Sequence, residues 1–292
     1  MTGTTQSITL ANGRMIDLYL GGDPDGRPLV MHHGTPSDAT TFADWDEDCA
    51  NLNLRLICMS RPGYAGSPRM VGRTVRDIAI LTAELLDRLG HTEFHTAGWS
   101  GGGPHALACA AELAGRCRGV AVLAGVGPYG EPDLDFLAGM GPENVEEFTA
   151  AAQGESALRA WMQANAQSFR TVTGAQVTAM LGSLICPPDH AALAGPYADA
   201  LAAVFRRALA DGFDGWMDDD IAFARSWGFA LTDVRVPTAL WQGDLDLMVP
   251  CQHATWLAAH IPEARLHRVP GHGHISLVAR HRHEILTALM AP

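Results

Sequence analysis

One short segment constrains the fold of this chain more than any other part of the sequence. The apolar run at 93–98 leads directly into the motif Gly98-Trp99-Ser100-Gly101-Gly102, and a helical pattern of small residues follows it. In a tight turn from a strand to a helix the central residue takes a strained backbone conformation, so the residues two before and two after it must be small. We therefore expect Ser100 to be exposed at the C-terminal edge of a sheet, at the positive end of the following helix.

Strand-like and helical patterns alternate through the first half of the chain. Short apolar runs bounded by turn residues indicate strands, whereas apolar residues repeated about every 3.6 positions indicate helices. The predicted strands are 7–10, 15–20, 29–32, 54–59, 93–98 and 119–124, and the predicted helices are 75–89 and 104–114. This alternation is typical of an α/β fold with a mostly parallel central sheet.

The pattern changes in the second half, where helical periodicity continues without a convincing strand. The predicted helices there are 143–152, 155–171, 176–185, 197–210 and 216–227. Strands then return at 236–242 and 264–269, with helices at 252–260 and 276–290. We predict an α/β core formed by residues 1–127 and 234–292, interrupted by a helical cap at 128–233, called the insert below.

Most of the net charge of −12 belongs to the insert. The insert has 15 acidic residues and 5 arginines, whereas the rest of the chain has 17 acidic residues and 15 arginines. The simpler interpretation is a solvated helical surface that the carboxylates keep soluble. A second interpretation is that the negative insert discourages anionic substrates.

All 20 basic residues are arginine, and the complete absence of lysine excludes several chemistries. Schiff-base catalysis, a pyridoxal phosphate anchor, a P-loop lysine and a Ser-x-x-Lys acyltransferase all need an amine that can lose its proton. The acidic balance also argues against nucleic acids and anionic membranes as partners. No leader and no apolar run of about 18 residues is visible, so we expect a cytoplasmic protein without a membrane span.

The glycine-rich turn could instead bind the phosphates of a dinucleotide. Such sites use Gly-x-Gly-x-x-Gly, with an acidic residue about 20 positions later at a strand end. The glycines at 98, 101, 102 and 103 do not have that spacing, and no such acidic residue follows. We disfavour a nucleotide site and expect no organic cofactor.

Metal binding is also disfavoured by the spacing of the candidate ligands. The 13 histidines include the pairs His272/His274 and His281/His283 near the C-terminus. Two positions apart on a helix, His281 and His283 face different sides and chelate poorly. The six cysteines are scattered without a C-x-x-C pair, so we expect free thiols and no metal.

Four segments outside the helical insert give a more specific indication. They are the serine turn at 98–102, His33-Gly34-Thr35-Pro36 after a strand, Gly243-Asp244-Leu245-Asp246-Leu247-Met248-Val249-Pro250 after a later strand, and Pro270-Gly271-His272-Gly273-His274 before the last helix. A fifth, Ser60-Arg61-Pro62-Gly63-Tyr64-Ala65-Gly66-Ser67, is similar to a D-R-P-G-Y-G-x-S segment, with Ser60 and Ala65 as departures. Together they resemble the α/β-hydrolase superfamily, and the resemblance covers the whole core.

The resemblance implies a catalytic triad in the chain order Ser100, Asp246, His274. The family keeps its acid in a G-x-x-D-x-x-x-P turn and its base directly after the final glycine of the Gly-His turn. Asp244 competes for the acid role and His272 for the base role. We expect Asp244 to cap its own turn and His272 to be a surface loop residue.

The resemblance also assigns the oxyanion hole to the backbone N–H groups of Thr35 and Gly101. The function it implies is a serine hydrolase that cleaves a carboxylic ester or a similar small acyl substrate through an acyl-enzyme intermediate. Recurrent aromatic residues of the insert would make the substrate pocket apolar, and which of them face Ser100 is not encoded in the pattern.

Other activities on the same fold stay open at this point. They are a C–C bond hydrolase, a lactonase, a perhydrolase and an aminopeptidase of the proline-iminopeptidase type, the last disfavoured because it usually carries HGGPG where this chain has His33-Gly34-Thr35-Pro36. A serine at position 100 excludes the usual haloalkane dehalogenase and epoxide hydrolase mechanisms, which need a carboxylate nucleophile. A non-catalytic ligand-binding protein on this fold is the alternative of another class.

Overall fold

The centre of the structure is a sheet of eight strands, seen in a computed structural model that describes residues 3–291. The strands are β1 (Thr4–Thr9), β2 (Met15–Gly22), β3 (Arg27–His32), β4 (Leu54–Met59), β5 (Phe94–Trp99), β6 (Cys117–Leu123), β7 (Thr238–Gly243) and β8 (Arg265–Val269). They lie in the order β1-β2-β4-β3-β5-β6-β7-β8. β2 pairs antiparallel with β1 and β4, and all other neighbouring pairs are parallel. The mostly parallel sheet predicted from the sequence is confirmed.

The described residues form twelve α-helices around this sheet. They are α1 (Asp46–Asn51), α2 (Asp77–Leu89), α3 (Gly102–Glu112), α4 (Pro142–Gln153), α5 (Glu155–Asn165), α6 (Gly174–Leu181), α7 (Pro187–Ala192), α8 (Pro196–Ala208), α9 (Asp214–Phe223), α10 (Cys251–His260), α11 (His274–Arg280) and α12 (Arg282–Leu289). α2, α3 and α10 share one apolar core on one face of the sheet, and α1 and α12 contribute to a second core on the other. Burial on both faces explains why the parallel strands read as continuous apolar runs. Within residues 3–291 no helix has the length and apolar character needed to cross a membrane.

The single C-terminal helix predicted at 276–290 is wrong. Its residues are divided between α11 and α12, because the backbone of His281 leaves the helix with φ −113° and ψ 14°. The break lets Arg282 at the start of α12 form ion pairs with Asp44, at 3.1 Å, and with Asp48. The sequence also gave no indication of the short helices α1 and α7.

The helices α4–α9 of the insert follow β6 and precede β7 in the chain. Their carboxylates do not all form the solvated surface that the charge pattern suggested. Five acidic side chains of the insert are buried in the structure: Glu147, Asp189, Asp218, Asp219 and Asp220. Burying a carboxylate is costly unless it is paired or protonated, so each of the five needs a specific partner or a bound proton.

Asp219 on α9 ties the insert to the core through two buried arginines. Its carboxylate lies 2.6 Å from Arg61 Nη2 and 2.7 Å from Arg73 Nη1, and all three side chains are fully buried. Tyr64 donates its hydroxyl to Asp219 Oδ2 at 2.8 Å, and His105 Nε2 lies 3.4 Å from Oδ1. The arginines hold the pKa of the Asp219 carboxyl well below its usual range despite the opposing effect of burial.

We predict that Asp219→Ala lowers the free energy of unfolding by about 3–5 kcal/mol, because it leaves two buried guanidinium groups without their carboxylate. The matched control is Asp214→Ala on the same helix, which removes a half-exposed ion pair with Arg69. That change is expected to cost about 1 kcal/mol or less. Urea unfolding followed by circular dichroism measures both values. Equal losses of unfolding free energy would show that the buried Asp219 carboxylate contributes no more stability than an exposed ion pair.

Candidate active site

The register of the parallel strands brings the predicted site segments to one edge of the sheet. His32, the last residue of β3, lies opposite Gly98 of β5, so the loop after β3 emerges beside the serine turn. A Cβ built on Gly34 would lie 3.5 Å from Ser100 Cβ. Further along the same edge, the last residue of β7 lies opposite Val269, the last residue of β8, which brings the loops after β7 and β8 together.

The serine turn has the strained geometry that its sequence predicts. Ser100 has φ +57°, a left-handed conformation that non-glycine residues seldom adopt, and its N–H donates to Leu123 O at 2.8 Å. A Cβ on Gly98 would overlap the carbonyl of Gly102, and a Cβ on Gly102 would overlap the carbonyl of His32. Both flanking glycines are therefore required by close backbone approach.

Asp246 and His274 are in direct contact. His274 Nδ1 lies 2.9 Å from Asp246 Oδ2, with both side chains nearly or fully buried. The N–H groups of Met248 and Val249 donate to Oδ1 at 2.9 and 2.8 Å, and Gln242 Nε2 donates to Oδ2 at 3.0 Å. These three donors fix the carboxylate, which in turn orients the imidazole.

The two competing residues lie elsewhere. Asp244 Oδ1 accepts the N–H of Gly271 at 2.7 Å, so this carboxylate joins the loop after β7 to the loop after β8. We expected it to cap its own turn, and it does not. His272 is half-buried, with Nδ1 2.9 Å from Pro270 O and Nε2 3.3 Å from His281 Nε2. Neither residue lines the cavity that contains Ser100.

Ser100 and His274 line one cavity, although their side chains are not hydrogen-bonded to each other among the contacts of the described residues. In unliganded sites such bonds are often long and tighten only when substrate binds. Thr35 and Gly101 line the same cavity, and neither backbone N–H has an acceptor among the described residues. The arrangement offers a hydroxyl, an imidazole paired with a carboxylate, and two open N–H donors at one place.

A buried arginine that the sequence did not single out holds the loop that carries Thr35. Arg61 donates to the carbonyl oxygens of His33 and Gly34, the latter at 2.8 Å, and to Thr35 Oγ1 at 3.0 Å. Asp219 Oδ2 accepts the Thr35 hydroxyl at 2.8 Å. The only sequence signal was the position of Arg61 in the D-R-P-G-Y-like segment, and nothing in that pattern indicated Asp219 as its partner.

His33 is neutral and has a defined tautomer. Burial, with the neighbouring Arg61 charge, holds its pKa well below the usual value. Its Nε2 lies 3.1 Å from the backbone N of Arg61 and must accept the hydrogen bond from that N–H. Nδ1 therefore carries the proton and donates to Gly34 O at 2.8 Å. The His33 ring thus holds the loop that carries Thr35 in addition to the contacts from the Arg61 side chain.

The insert also contacts the backbone around His274. Asp189 on α7 is fully buried, and its carboxylate accepts the N–H groups of His274 and Ile275, each at 3.1 Å, and of Ser276 at 2.7 Å. These are the first three residues of α11, whose N–H groups have no partner within the helix. Sequence reasoning missed this contact, because α7 was not predicted and Asp189 has no motif around it.

The cavity has a volume of about 210 Å³. That is small beside the roughly 300–1,000 Å³ of drug-sized ligand sites, and it favours a small substrate. Its aromatic lining comes from the core and from the insert: Trp99, Phe148, Trp161, Phe169, Phe205, Trp216 and Phe223. Two other large apolar side chains of the insert, Met162 and Trp227, do not line the cavity and instead pack in apolar clusters.

Two buried carboxyl groups interrupt this apolar lining. Glu147 and Asp220, both buried, line the cavity, and Trp216 Nε1 donates to Glu147 Oε1. Burial and the neighbouring Glu147 raise the pKa of Asp220 well above its usual value, and burial also raises the pKa of Glu147. Among the described residues no group of three or more potential metal ligands is present.

The chain is similar to known proteins over nearly its whole length. The model of a family described as having the alpha/beta hydrolase fold matches residues 27–279. A hydrolase from Pseudomonas aeruginosa shares 18% identity over 100% of both chains, with a TM-score of 0.70. An esterase from Exiguobacterium antarcticum shares 19% over 98% of each chain, with a TM-score of 0.70. An enol-lactonase from Burkholderia xenovorans shares 20% over 97% of this chain and 98% of its own, with a TM-score of 0.67.

No curated protein matches the chain in sequence. At identities this low, likeness to the solved structures establishes the fold and leaves the substrate open. The family match covers most of the chain, including every strand from β3 to β8. The chain therefore belongs to the α/β-hydrolase fold family, and these comparisons support a hydrolase enzyme.

Proposed function

We propose that the protein is a serine hydrolase that cleaves a carboxylic ester or a similar small acyl substrate through Ser100, His274 and Asp246. The observation that carries the proposal is the 2.9 Å contact between His274 Nδ1 and Asp246 Oδ2, beside a cavity that Ser100 also lines. The strained φ of Ser100, which exposes its hydroxyl at the end of β5, adds to it.

Each step follows from what these groups can do. His274 Nε2 takes the Ser100 proton as Oγ attacks the carbonyl carbon, and Asp246 stabilises the imidazolium that forms. The tetrahedral oxyanion accepts hydrogen bonds from the N–H groups of Thr35 and Gly101, each worth roughly 3 kcal/mol in the transition state. His274 then gives the proton to the leaving alcohol, and water on the same base releases the acid from the acyl-enzyme.

The insert and Arg61 contribute by fixing positions. Arg61 and Asp219 hold the loop of Thr35, so one oxyanion donor is oriented before substrate arrives. Asp189 holds the backbone of His274 at the start of α11. We assign Asp189 as a positioning residue, since it acts through the backbone of the base and does not line the cavity.

Ser100→Ala is expected to lower hydrolysis of an activated ester by at least about 10⁴-fold, because no other group can form the acyl-enzyme. Stoichiometric labelling by a fluorophosphonate probe should be lost in the same variant, while its circular dichroism stays unchanged. Turnover near that of the wild type would refute the proposal. A wild-type protein that is not labelled would favour the non-catalytic binding alternative.

Asp246→Asn is expected to lower kcat by about 10⁴-fold, because an amide favours the wrong tautomer of His274. Asp244→Asn is the matched control, since its amide oxygen can still accept the Gly271 N–H, and it should lower kcat little. Ester hydrolysis by the two purified variants decides the assignment. The opposite order of activities would move the acid role to Asp244.

Asp189→Ala is expected to lower kcat, and to leave KM nearly unchanged, because three backbone donors that fix His274 lose their acceptor. Each unsatisfied buried donor also costs about 1–3 kcal/mol, so the variant should be less stable. Titration of active sites by the acyl burst normalises kcat to the folded fraction. Asp189→Asn keeps one acceptor oxygen and should be intermediate; an unchanged kcat per active site in both variants would leave Asp189 a purely structural role.

A further inference from the structure

The two carboxyl groups in the cavity have no part in the proposed triad. Glu147 on α4 is 8% exposed and Asp220 on α9 is 1% exposed, and both line the cavity with Ser100. Glu143, one turn before Glu147, is a third acidic lining residue, and no arginine lines this cavity. A buried acidic pair without a cation beside it in the cavity is costly, which calls for a specific explanation.

The helix that carries Asp220, α9, packs against the segments that carry Thr35 and Gly101. Asp219, the preceding residue, accepts the Thr35 hydroxyl at 2.8 Å. A Cβ on Gly101 would lie 3.1 Å from Phe223 Cε2, three residues after Asp220. The acidic pair therefore belongs to the wall of the substrate site.

Burial raises the pKa of both carboxyl groups, and the neighbouring Glu147 adds to the rise at Asp220. Trp216 Nε1 donates to Glu147 Oε1, a hydrogen bond that opposes part of the rise at Glu147. The positive charge of Arg73 also acts on Asp220, but Arg73 forms its ion pair with Asp219, at 2.7 Å, and does not line the cavity. Asp220 Oδ2 is buried and has no hydrogen-bond donor among the described residues.

We propose that Glu147 and Asp220 form a subsite for a protonated amino group of the substrate, so that the enzyme acts on small acyl compounds that carry a primary or secondary amine. This inference rests on the proposed function. An ammonium group supplies a positive charge and several N–H donors to this acidic wall of the cavity. Phe148 and Trp161 line the same cavity, and aromatic rings favour a cation as well.

The substrate test compares 4-nitrophenyl esters of alanine, 2-methylpropanoic acid and 2-hydroxypropanoic acid, which carry an ammonium, a methyl and a hydroxyl group at one position. The 3-aminopropanoate and butanoate esters form a second pair with the amine one carbon further out. After correction for uncatalysed hydrolysis, kcat/KM of the better amino ester should exceed that of its alkyl isostere by about 30-fold or more. A ratio near one in both pairs, or a preference for the hydroxyl ester over the alanine ester, would overturn the inference.

The variant test uses neutral isosteres of both residues. Glu147→Gln combined with Asp220→Asn should bring the ratio of amino to alkyl ester close to one, and the ratio cancels any general loss of activity. Glu146→Gln on the same helix is the control, since Glu146 is exposed and does not line the cavity, and it should keep the wild-type ratio. A preference that survives in the double variant would place amine recognition elsewhere and refute the subsite.

A binding measurement separates failure of this subsite from failure of the proposed triad. In the Ser100→Ala background, 2-methylpropylammonium should raise the unfolding midpoint, whereas 2-methylpropanol should not. The rise should vanish when Glu147→Gln and Asp220→Asn are added. If Ser100→Ala still hydrolyses esters, the triad fails and this midpoint shift alone decides the subsite; if hydrolysis depends on Ser100 but shows no amine preference, only the subsite fails.

Discussion

The buried ion pair between Asp219 and Arg61 is the interaction on which the rest of the site depends. It joins positions 158 residues apart in the chain and brings α9 of the insert against the loop after β3. Buried pairs of this kind contribute little net stability after desolvation, and their better-attested effect is to specify one arrangement. Here the arrangement includes both Thr35 and the wall of the cavity, so the insert and the loop that carries Thr35 take their positions together.

The core and the candidate triad were predictable from the sequence because their signals are local. Gly98 and Gly102 flank Ser100 within five residues. A strand end followed by a glycine-containing loop indicates the edge of the sheet at which the side chains of the candidate triad lie. The distance between His274 and Asp246 then follows from parallel pairing of β7 and β8. No long-range information is needed beyond the order of the strands.

The acidic residues of the insert show where such reasoning fails. Asp218, Asp219 and Asp220 are consecutive and look like one solvated charge run, yet each has a different environment. Asp218 pairs with Arg69 at 2.7 Å, Asp219 with buried arginines, and Asp220 lines the cavity. Helical periodicity describes the face of a helix but not the surface it packs against, and these three roles depend on that surface.

Asp189 limits how the insert could be exchanged for another one. Its carboxylate lies in the insert, yet it completes the start of α11, the helix that begins with His274. The insert is thus not a detachable module. A grafted insert would have to bring its own acceptor to the same three N–H groups, so the lining of the cavity and the backbone position of His274 can be exchanged only together.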